Sequence, residues 1–572
     1  MKRRNFLHLA ALTGLGSLNL PIVSAGSMES QTGAKNYAGN DEIQTDVCII
    51  GGGLGGCAAA LAVCRNGLRA IVTEETDWIG GQISQQGVPP DEHQWIETHG
   101  APKSYLDYRV RVRDFYRRNY PLTDEARNKV NLNPGNGSVS RICHEPHVSV
   151  AVLYEMLLPY LSNGQLQIFL GFKADTAQLQ GDNVKSISIR SIDDDKKINV
   201  KAKNFVDATE CGDLLPITKT EYITGTESKK ETKELHASET KRPQNHQAFT
   251  VCFAMDYQAD VDNTIDKPTD YDKWKNYVPN ISPAWSGKLL SLYYSNPRDL
   301  KPKQLGFDPR GIDTPGMLNL FNYRRLIHKD NFKPGFYQND ITIVNWPQND
   351  YMMGNLIDVS EADFKKTVDD AKNLSRSLFY WLQTEAPRLD GGIGWKGLRL
   401  RGDVMGTLDG MAKYPYIRES RRIKAEFTVL EEHVGAENRI LIAGEKEGKK
   451  AFQFHDSVGV GYYHIDLHPS NQGDNYIDFP SLPFQIPLGS LLPQRVNNLF
   501  PANKNIGTTH ITNGCYRLHP VEWSIGEAVG LLIAYTSKNK LNGKQVRSDK
   551  NKLNAFQQFI QQQGVETVWR GI

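Results

Sequence analysis

The stretch TDVCIIGGGLGGCAAALAVCRNGLRAIVTEE, Thr45–Glu75, decides the fold. Asp46–Ile50 is a short apolar run rich in β-branched residues, Gly55–Asn66 repeats small and apolar residues at helical spacing, and Leu68–Thr73 is a second apolar run. That order predicts strand, turn, helix, strand. Gly51, Gly53 and Gly56 form GxGxxG in the first turn, a pattern that is weak alone and specific inside a βαβ unit. Gly51 permits a tight turn, Gly53 lets backbone approach a pyrophosphate, and Gly56 lets helix and strand pack closely, with the helix N–H groups facing the phosphates. Glu74, ending the second strand, is placed to accept hydrogen bonds from adenosine ribose hydroxyls and to repel a 2′-phosphate.

NAD and FAD share this fingerprint, and the following residues separate them. DWIGGQISQQG, Asp77–Gly87, resembles the FAD-dependent oxidoreductases of the glutathione-reductase-like flavoprotein superfamily, in which a GG pair follows the second strand. FVDAT (Phe205–Thr209), YPYIRESRRI (Tyr414–Ile423) and the closing segment Pro487–Gly530 extend the resemblance along the chain after its first residues. It implies FAD as cofactor, with Gly81, Gln82, Asp207, Ala208, Thr209 and Gly526 joining the glycines and Glu74 as its contacts. It also implies a returning strand near residue 500 and a helix whose N-terminus points at the flavin pyrimidine. Ala502-Asn503 stands where many relatives carry Ala-Gly. A smaller subgroup shares VPPDEHQWIE, SRICHEPHVSVAVLYEML and GTTHITNGCYRLHPVEW, which this chain matches closely.

The expected class is α/β, a discontinuous Rossmann-like FAD-binding domain with an inserted α+β substrate domain. Residues 43–213 and 481–545 form the nucleotide part, 214–480 the insertion and 546–572 a tail. LQIFLG, VKSISIRS and KINVKAK, separated by turn formers, predict a β-meander, and the charged run Thr226–His246 predicts a solvated loop or exposed helix.

In such an enzyme the flavin carries out the redox step, so the protein must position substrate and move a proton. Near the GG pair, Gln82, Glu92, His93 and Trp95 are candidates; His93 could equally bridge loop backbone. His144, Glu145 and His147 in HEPHV could shuttle protons, or merely start a helix and pack; the HExxH spacing is absent and no metal is expected. His468, His510 and His519 complete the set, with His510 the favoured base because it lies between the returning strand and the flavin-directed helix. Arg109, Arg113 and Arg117 recur at helical spacing; such a stripe holds an anionic substrate or, more commonly, is solvated or paired with carboxylates.

Residues 1–25 combine paired arginines, a modest apolar run and the small-residue site Val23-Ser24-Ala25. They resemble a twin-arginine export signal, which makes a periplasmic location the expectation. Among 572 residues, 67 basic and 65 acidic side chains leave a formal charge of +2, which calls for neither nucleic acid nor an anionic membrane. The seven cysteines show no CxxC pair; Cys48, Cys57 and Cys64 occupy apolar positions, and an exported protein could still form one disulfide among Cys143, Cys211, Cys252 and Cys515. The resulting expectation is an exported FAD-dependent oxidoreductase acting on a small polar substrate, an alcohol, glycoside or amine, possessing an unidentified electron acceptor. The alternatives are a flavoprotein isomerase or lyase without net oxidation and a noncatalytic glycan-binding envelope protein. The intact cradle argues against the last.

Overall fold

The computed structural model describes residues 42–570; the leader-like residues 1–25 lie outside the described residues. Its centre is a five-stranded parallel sheet. The strands are β1 (Val47–Ile50), β2 (Ala70–Glu74), β3 (Leu166–Leu170), β4 (Asn204–Asp207) and β5 (Leu499–Pro501), in spatial order β5-β4-β1-β2-β3. Every residue of β1 and β2 is buried, as continuous apolar runs must be when both faces of a parallel sheet are covered. Helix α1 (Leu54–Arg65) joins β1 to β2 and completes the expected βαβ unit.

The C-terminal segment returns as expected. Pro501 pairs in register with Asp207, and Ala502 N–H donates to the Asp207 carbonyl at 2.8 Å, so Ala502-Asn503 keeps the course of a strand leaving the sheet. Helix α2 (His519–Asn539) then crosses α1 through small residues. A Cβ on Gly526 would sit 2.0 Å from the Gly55 carbonyl oxygen, and one on Gly530 would sit 2.7 Å from that of Ala59. Interhelical distance follows the side chains at the contact, so these glycines set how closely the helices approach.

Two expectations change. LQIFLG belongs to the parallel sheet, because the preceding helix Pro146–Ser162 provides the crossover that brings Leu166–Leu170 beside β2. The meander instead consists of Phe172–Gln180, Asn183–Ser191 and Lys197–Lys201, the first of these being a strand the sequence reading passed over. The run Thr226–His246 is exposed only in part. Lys229–Thr232 is a short surface helix, whereas Glu227, Glu234, Asn245 and His246 are buried. All seven cysteines are buried and free, so the four later ones form no disulfide.

The middle of the chain builds a second apolar core. A four-stranded antiparallel sheet, ordered Arg325–Ile327, Ile341–Val344, Phe253–Tyr257, Leu398–Leu400, is accompanied by the long helix Glu361–Thr384, in which DFKKTVDDAKNLSRSLFYWLQ falls as expected. Ile341 and Ile343 of this sheet pack into the same core as α1 and α2, which joins the two layers. No helix among the described residues is long and apolar enough to cross a membrane.

The tightest joint is at Gly55, where a Cβ would lie 1.6 Å from the Ala502 carbonyl oxygen. Gly55→Ala must push α1 away from β5, and overpacking of this kind costs about 1–3 kcal/mol. The expected result is a lower thermal midpoint for the variant; an unchanged midpoint contradicts this account.

Candidate active site

The ends of β1, β2 and β4 open onto a cavity of about 820 Å³, within the range of small-molecule sites. Gly51 lies at φ +99° and leaves no room for a side chain, since a Cβ would stand 2.2 Å from the Ala208 carbonyl oxygen; a Cβ on Gly56 would stand 2.0 Å from that of Gly51. Gly53 differs. Its nearest neighbour would be Glu210 Oε1 at 3.5 Å, so the space beside it is a cradle a methyl group would partly fill, at the N-terminus of α1. Gly81 lies against Gly53, its Cβ position 3.0 Å from the Gly53 Cα, which brings the GG loop onto this cradle.

Glu74 lines the cavity. Its Oε2 accepts from Gly52 N–H at 3.0 Å and its Oε1 from Thr76 N–H at 2.9 Å, leaving a lone pair on each oxygen for ribose hydroxyls. Burial pushes its carboxyl up to about 7. Ala208 and Thr209 also line the cavity, but Asp207 does not. Asp207 is turned inward, accepting from Thr209 N–H, Thr209 Oγ1 and Leu214 N–H, and so fastens the turn that presents its neighbours. Gly526 likewise serves the α1–α2 contact rather than the cavity.

Several residues of the site lie within or beside the quoted motifs without standing out there. Glu75, Gln85 and Gln86 line the cavity, and Tyr414 and Arg421 of the YPYIRESRRI stretch close it from the middle layer. Lys504 is buried between Glu210 and Glu522, two carboxylates from distant parts of the chain. Only its position just after the returning strand could have drawn attention to it.

Orphaned polar atoms mark the route onward from the cradle. Gln82 Nε2 donates to the Arg517 carbonyl and to Glu522 Oε2, both at 2.9 Å, while the buried Gln82 Oε1 and Gln86 Oε1 have no protein partner. His519, the first residue of α2, accepts from Asp91 N–H on Nδ1 at 3.1 Å. Burial holds this imidazole neutral, at about 4, so its proton sits on Nε2, a buried atom with no acceptor. A glycine cradle, a carboxylate for ribose and unanswered amide and imidazole groups at a helix N-terminus fit FAD.

The four proposed catalytic histidines are not brought together. His93 Nε2 bonds to the Gly100 carbonyl at 3.1 Å among Trp95 and Trp569, the loop-bridging alternative. His144 is a packed core histidine, 2.6 Å from both the Ile142 carbonyl and Ser149 Oγ, and burial lowers it to about 4. Glu145 accepts from three tyrosines, Tyr116, Tyr120 and Tyr337, at 3.0–3.2 Å, and His147 lies 3.8 Å from its other oxygen. Arg109 and Arg113 are buried and paired with Glu92 and Glu97, and Arg117 pairs with Asp114, so the stripe takes its paired form.

His510 is buried and committed to a carboxylate. Its Nδ1 lies 2.7 Å from Glu419, which is held down to about 2, and its own affinity for protons is raised against the cost of burial. Glu419 also contacts Arg422, which pairs with Glu227 from the run expected to be solvated. Glu227 of that run is buried because its carboxylate answers Arg422.

His468 occupies a different setting. Its Nδ1 is 2.6 Å from Asp350 Oδ2 and its Nε2 is 3.6 Å from Asp466 Oδ2. Arg418 and the Thr250 hydroxyl hold Asp350, and Arg517 holds Asp466 at 3.0 Å. Against the cost of burial, Arg418 and His468 keep Asp350, and His468 and Arg517 keep Asp466, below the usual carboxylate range. Solvent still reaches 17% of the His468 side chain and 13% of Asp466 among otherwise buried partners, so the cluster lines a recess.

Two outcomes test this assignment. Gly53→Ala should preserve the thermal midpoint of FAD-free protein while weakening FAD binding at least tenfold by titration; equal affinity removes Gly53 from the cradle. The second concerns pH. Burial raises Glu74, Asp207, Glu234 and Glu522 to about 7 and Glu75 to about 8, and lowers His93, His144, His246, His433 and His519 to about 4. The acids stabilise the fold below their unfolded values and lose that contribution as pH rises through 7–8. The neutral histidines contribute above 6.5 and lose it as pH falls toward 4. From pH 6.5 to 8 the acids dominate, each costing on the order of 1 kcal/mol. The FAD-free protein should therefore melt at a lower temperature at pH 8 than at pH 6.5, and a rise over that interval contradicts the burial of these acids.

Comparison with known proteins agrees with the site. The family model described as FAD dependent oxidoreductase matches residues 46–560. No curated protein matches significantly. Among solved structures, E. coli quinol fumarate reductase is similar at 11% identity over 91% of this chain and 74% of that chain, with a TM-score of 0.33. The anhydrotetracycline hydroxylase from Streptomyces rimosus is similar at 10% identity over 90% and 65%, also at 0.33. L-Proline dehydrogenase from P. horikoshii matches at 20% identity over 32% of this chain and 24% of its own length, at 0.16. These likenesses are too remote to speak about substrate. The family match runs through both parts of the parallel sheet and everything between them, and the chain belongs to the FAD-dependent oxidoreductase family.

Proposed function

We propose that this oxidoreductase dehydrogenates a small polar substrate, an alcohol, glycoside or amine, with His468 as the proton acceptor. One observation carries the reading: a continuous path of contacts, Gln82 to Arg517 to Asp466 to His468 to Asp350, leads from the GG loop into the solvent-reached recess. Bound FAD supplies the two-electron acceptor.

The chain's residues supply the rest. Asp350, fixed by Arg418 and Thr250, accepts Nδ1–H of His468 and so leaves Nε2 as the basic nitrogen. As the substrate C–H bond gives up hydride, its O–H or N–H proton passes to Nε2 and a C=O or C=N bond forms, which balances two electrons and one proton. Asp466, beside Nε2, then stabilises the imidazolium. Tyr416 accepts a hydrogen bond from Arg517 at 3.1 Å on the same path. The leader-like residues 1–25 support export of the enzyme, for which N-terminal sequencing of the secreted form is the check.

His468→Gln should retain FAD and slow anaerobic flavin reduction by about 10²–10⁴-fold, the usual contribution of a positioned base. A reduction rate equal to that of the unsubstituted protein excludes His468 as the acceptor.

A further inference from the structure

The nucleotide cavity continues beyond Glu74. Glu74 pairs with Leu170 in the parallel sheet, and two residues later the meander begins at Phe172, which lines the cavity together with Ala174 and Ile192. Ile192 is 46% exposed, so the fold itself does not cover this apolar wall. A second wall comes from the middle layer. Glu361, Phe364, Lys365, Val368, Asp369 and Lys372 line the same cavity, and their spacing puts them on one face of the long helix Glu361–Thr384 over its first three turns. Phe364 and Val368 form the apolar stripe of that face, resting on the middle core with part of each side chain left for the cavity.

Ion pairs fasten this helix across the cavity. Glu361 accepts from Lys173 and lies 3.5 Å from Arg190, both on the meander. Just before the helix, Asp358 accepts from Arg421 Nε at 2.8 Å and from the Tyr222 hydroxyl at 3.1 Å. The Glu361 side chain is 73% exposed, and ion pairs of that kind are weak and screened by salt, which suits a contact that must open. The parts of FAD meet the cavity in a fixed covalent order. The pyrophosphate belongs at Gly53 and the adenosine ribose at Glu74, so the group carried beyond the ribose is the adenine, a flat ring with two apolar faces. Two apolar walls with charged groups at their rim suit such a ring.

We propose that the first three turns of the helix Glu361–Thr384 cover the adenine of bound FAD against Phe172 and Ile192, and that Glu361 latches this cover. The cofactor then enters and leaves only when the start of the helix lifts. The middle layer thereby holds the cofactor directly, at the end remote from the flavin ring. This inference rests on the FAD cradle and is independent of which residue takes the substrate proton.

The test uses the full FAD-loaded protein, from which release of FAD is followed by free-flavin fluorescence after dilution, at low salt and at about 1 M salt, where charges are screened within a few ångströms. Amide hydrogen exchange over residues 359–372 is read with FAD, with ADP and with neither. FAD and ADP should both slow exchange in this segment, because both carry the adenine. Glu361→Gln should release FAD roughly two- to fivefold faster at low salt, the weight of an exposed ion pair, and high salt should bring the unsubstituted protein to the rate of the variant. Phe364→Ala should release FAD about tenfold faster while the FAD-free protein keeps its thermal midpoint. Exchange that FAD leaves unchanged, or a Glu361→Gln release rate equal to that of the unsubstituted protein at low salt, overturns the proposal. ADP that fails to bind, or binds without protecting the segment, overturns the adenine placement. If Phe364→Ala fails to fold, Val368→Ser on the same stripe is judged by the same faster release.

Discussion

The structure depends on a close approach of backbone to backbone at the start of α1. Gly55 touches the Ala502 carbonyl on one side and Gly526 of α2 on the other: a Cβ on Gly55 would overlap the Ala502 carbonyl, and a Cβ on Gly526 would overlap Gly55. This contact ties the first βαβ unit to a segment more than four hundred residues later in the chain. It also leaves the N-terminal N–H groups of α1 facing outward with no side-chain cap, which is the physical condition for receiving a pyrophosphate. Fold and cofactor cradle are therefore consequences of one packing constraint.

From that joint the charges are arranged outward in pairs. Lys504 sits between Glu210 and Glu522 beneath the cradle, Arg517 holds Asp466, Arg418 holds Asp350, and Arg422 holds Glu227 and Glu419. Burial of this many ions is expensive, and each pair survives because further hydrogen bonds complete it. The pairing also sorts the histidines. His510, against Glu419, has its affinity for protons raised; His144 and His519 are kept neutral by burial without a carboxylate partner; His468 lies between two carboxylates and is touched by solvent.

The middle layer contributes to both ends of the site. Tyr414 and Arg421 border the nucleotide cavity, while Tyr416 and Arg418, alternate residues of the same extended stretch, face the recess. Asp350 reaches His468 from the antiparallel part of the fold, where it pairs through the short strand opposite Phe249–Thr250. A chain segment read as a substrate domain thus provides walls and charge partners to the nucleotide part and shares its core through Ile341 and Ile343.

The sequence by itself determined the βαβ unit, because it rests on local periodicity and on the spacing of glycines, and the resemblance of the later motifs to a known family implied the order of the returning strands and the cofactor. Gly51, Gly53, Gly56 and Glu74 were legible for that reason, as were the buried cysteines of α1 and the helix over Asp363–Gln383. Tertiary structure alone decided the rest. The loss of LQIFLG from the meander follows from which strand a crossover helix places it beside. The burial of Glu227 and Glu234 and the different surroundings of His468 and His510 follow from groups brought together across gaps of tens to hundreds of residues. A carboxylate or imidazole has no fixed proton affinity in sequence; its neighbours and its access to water set it, and those exist only once the chain has folded.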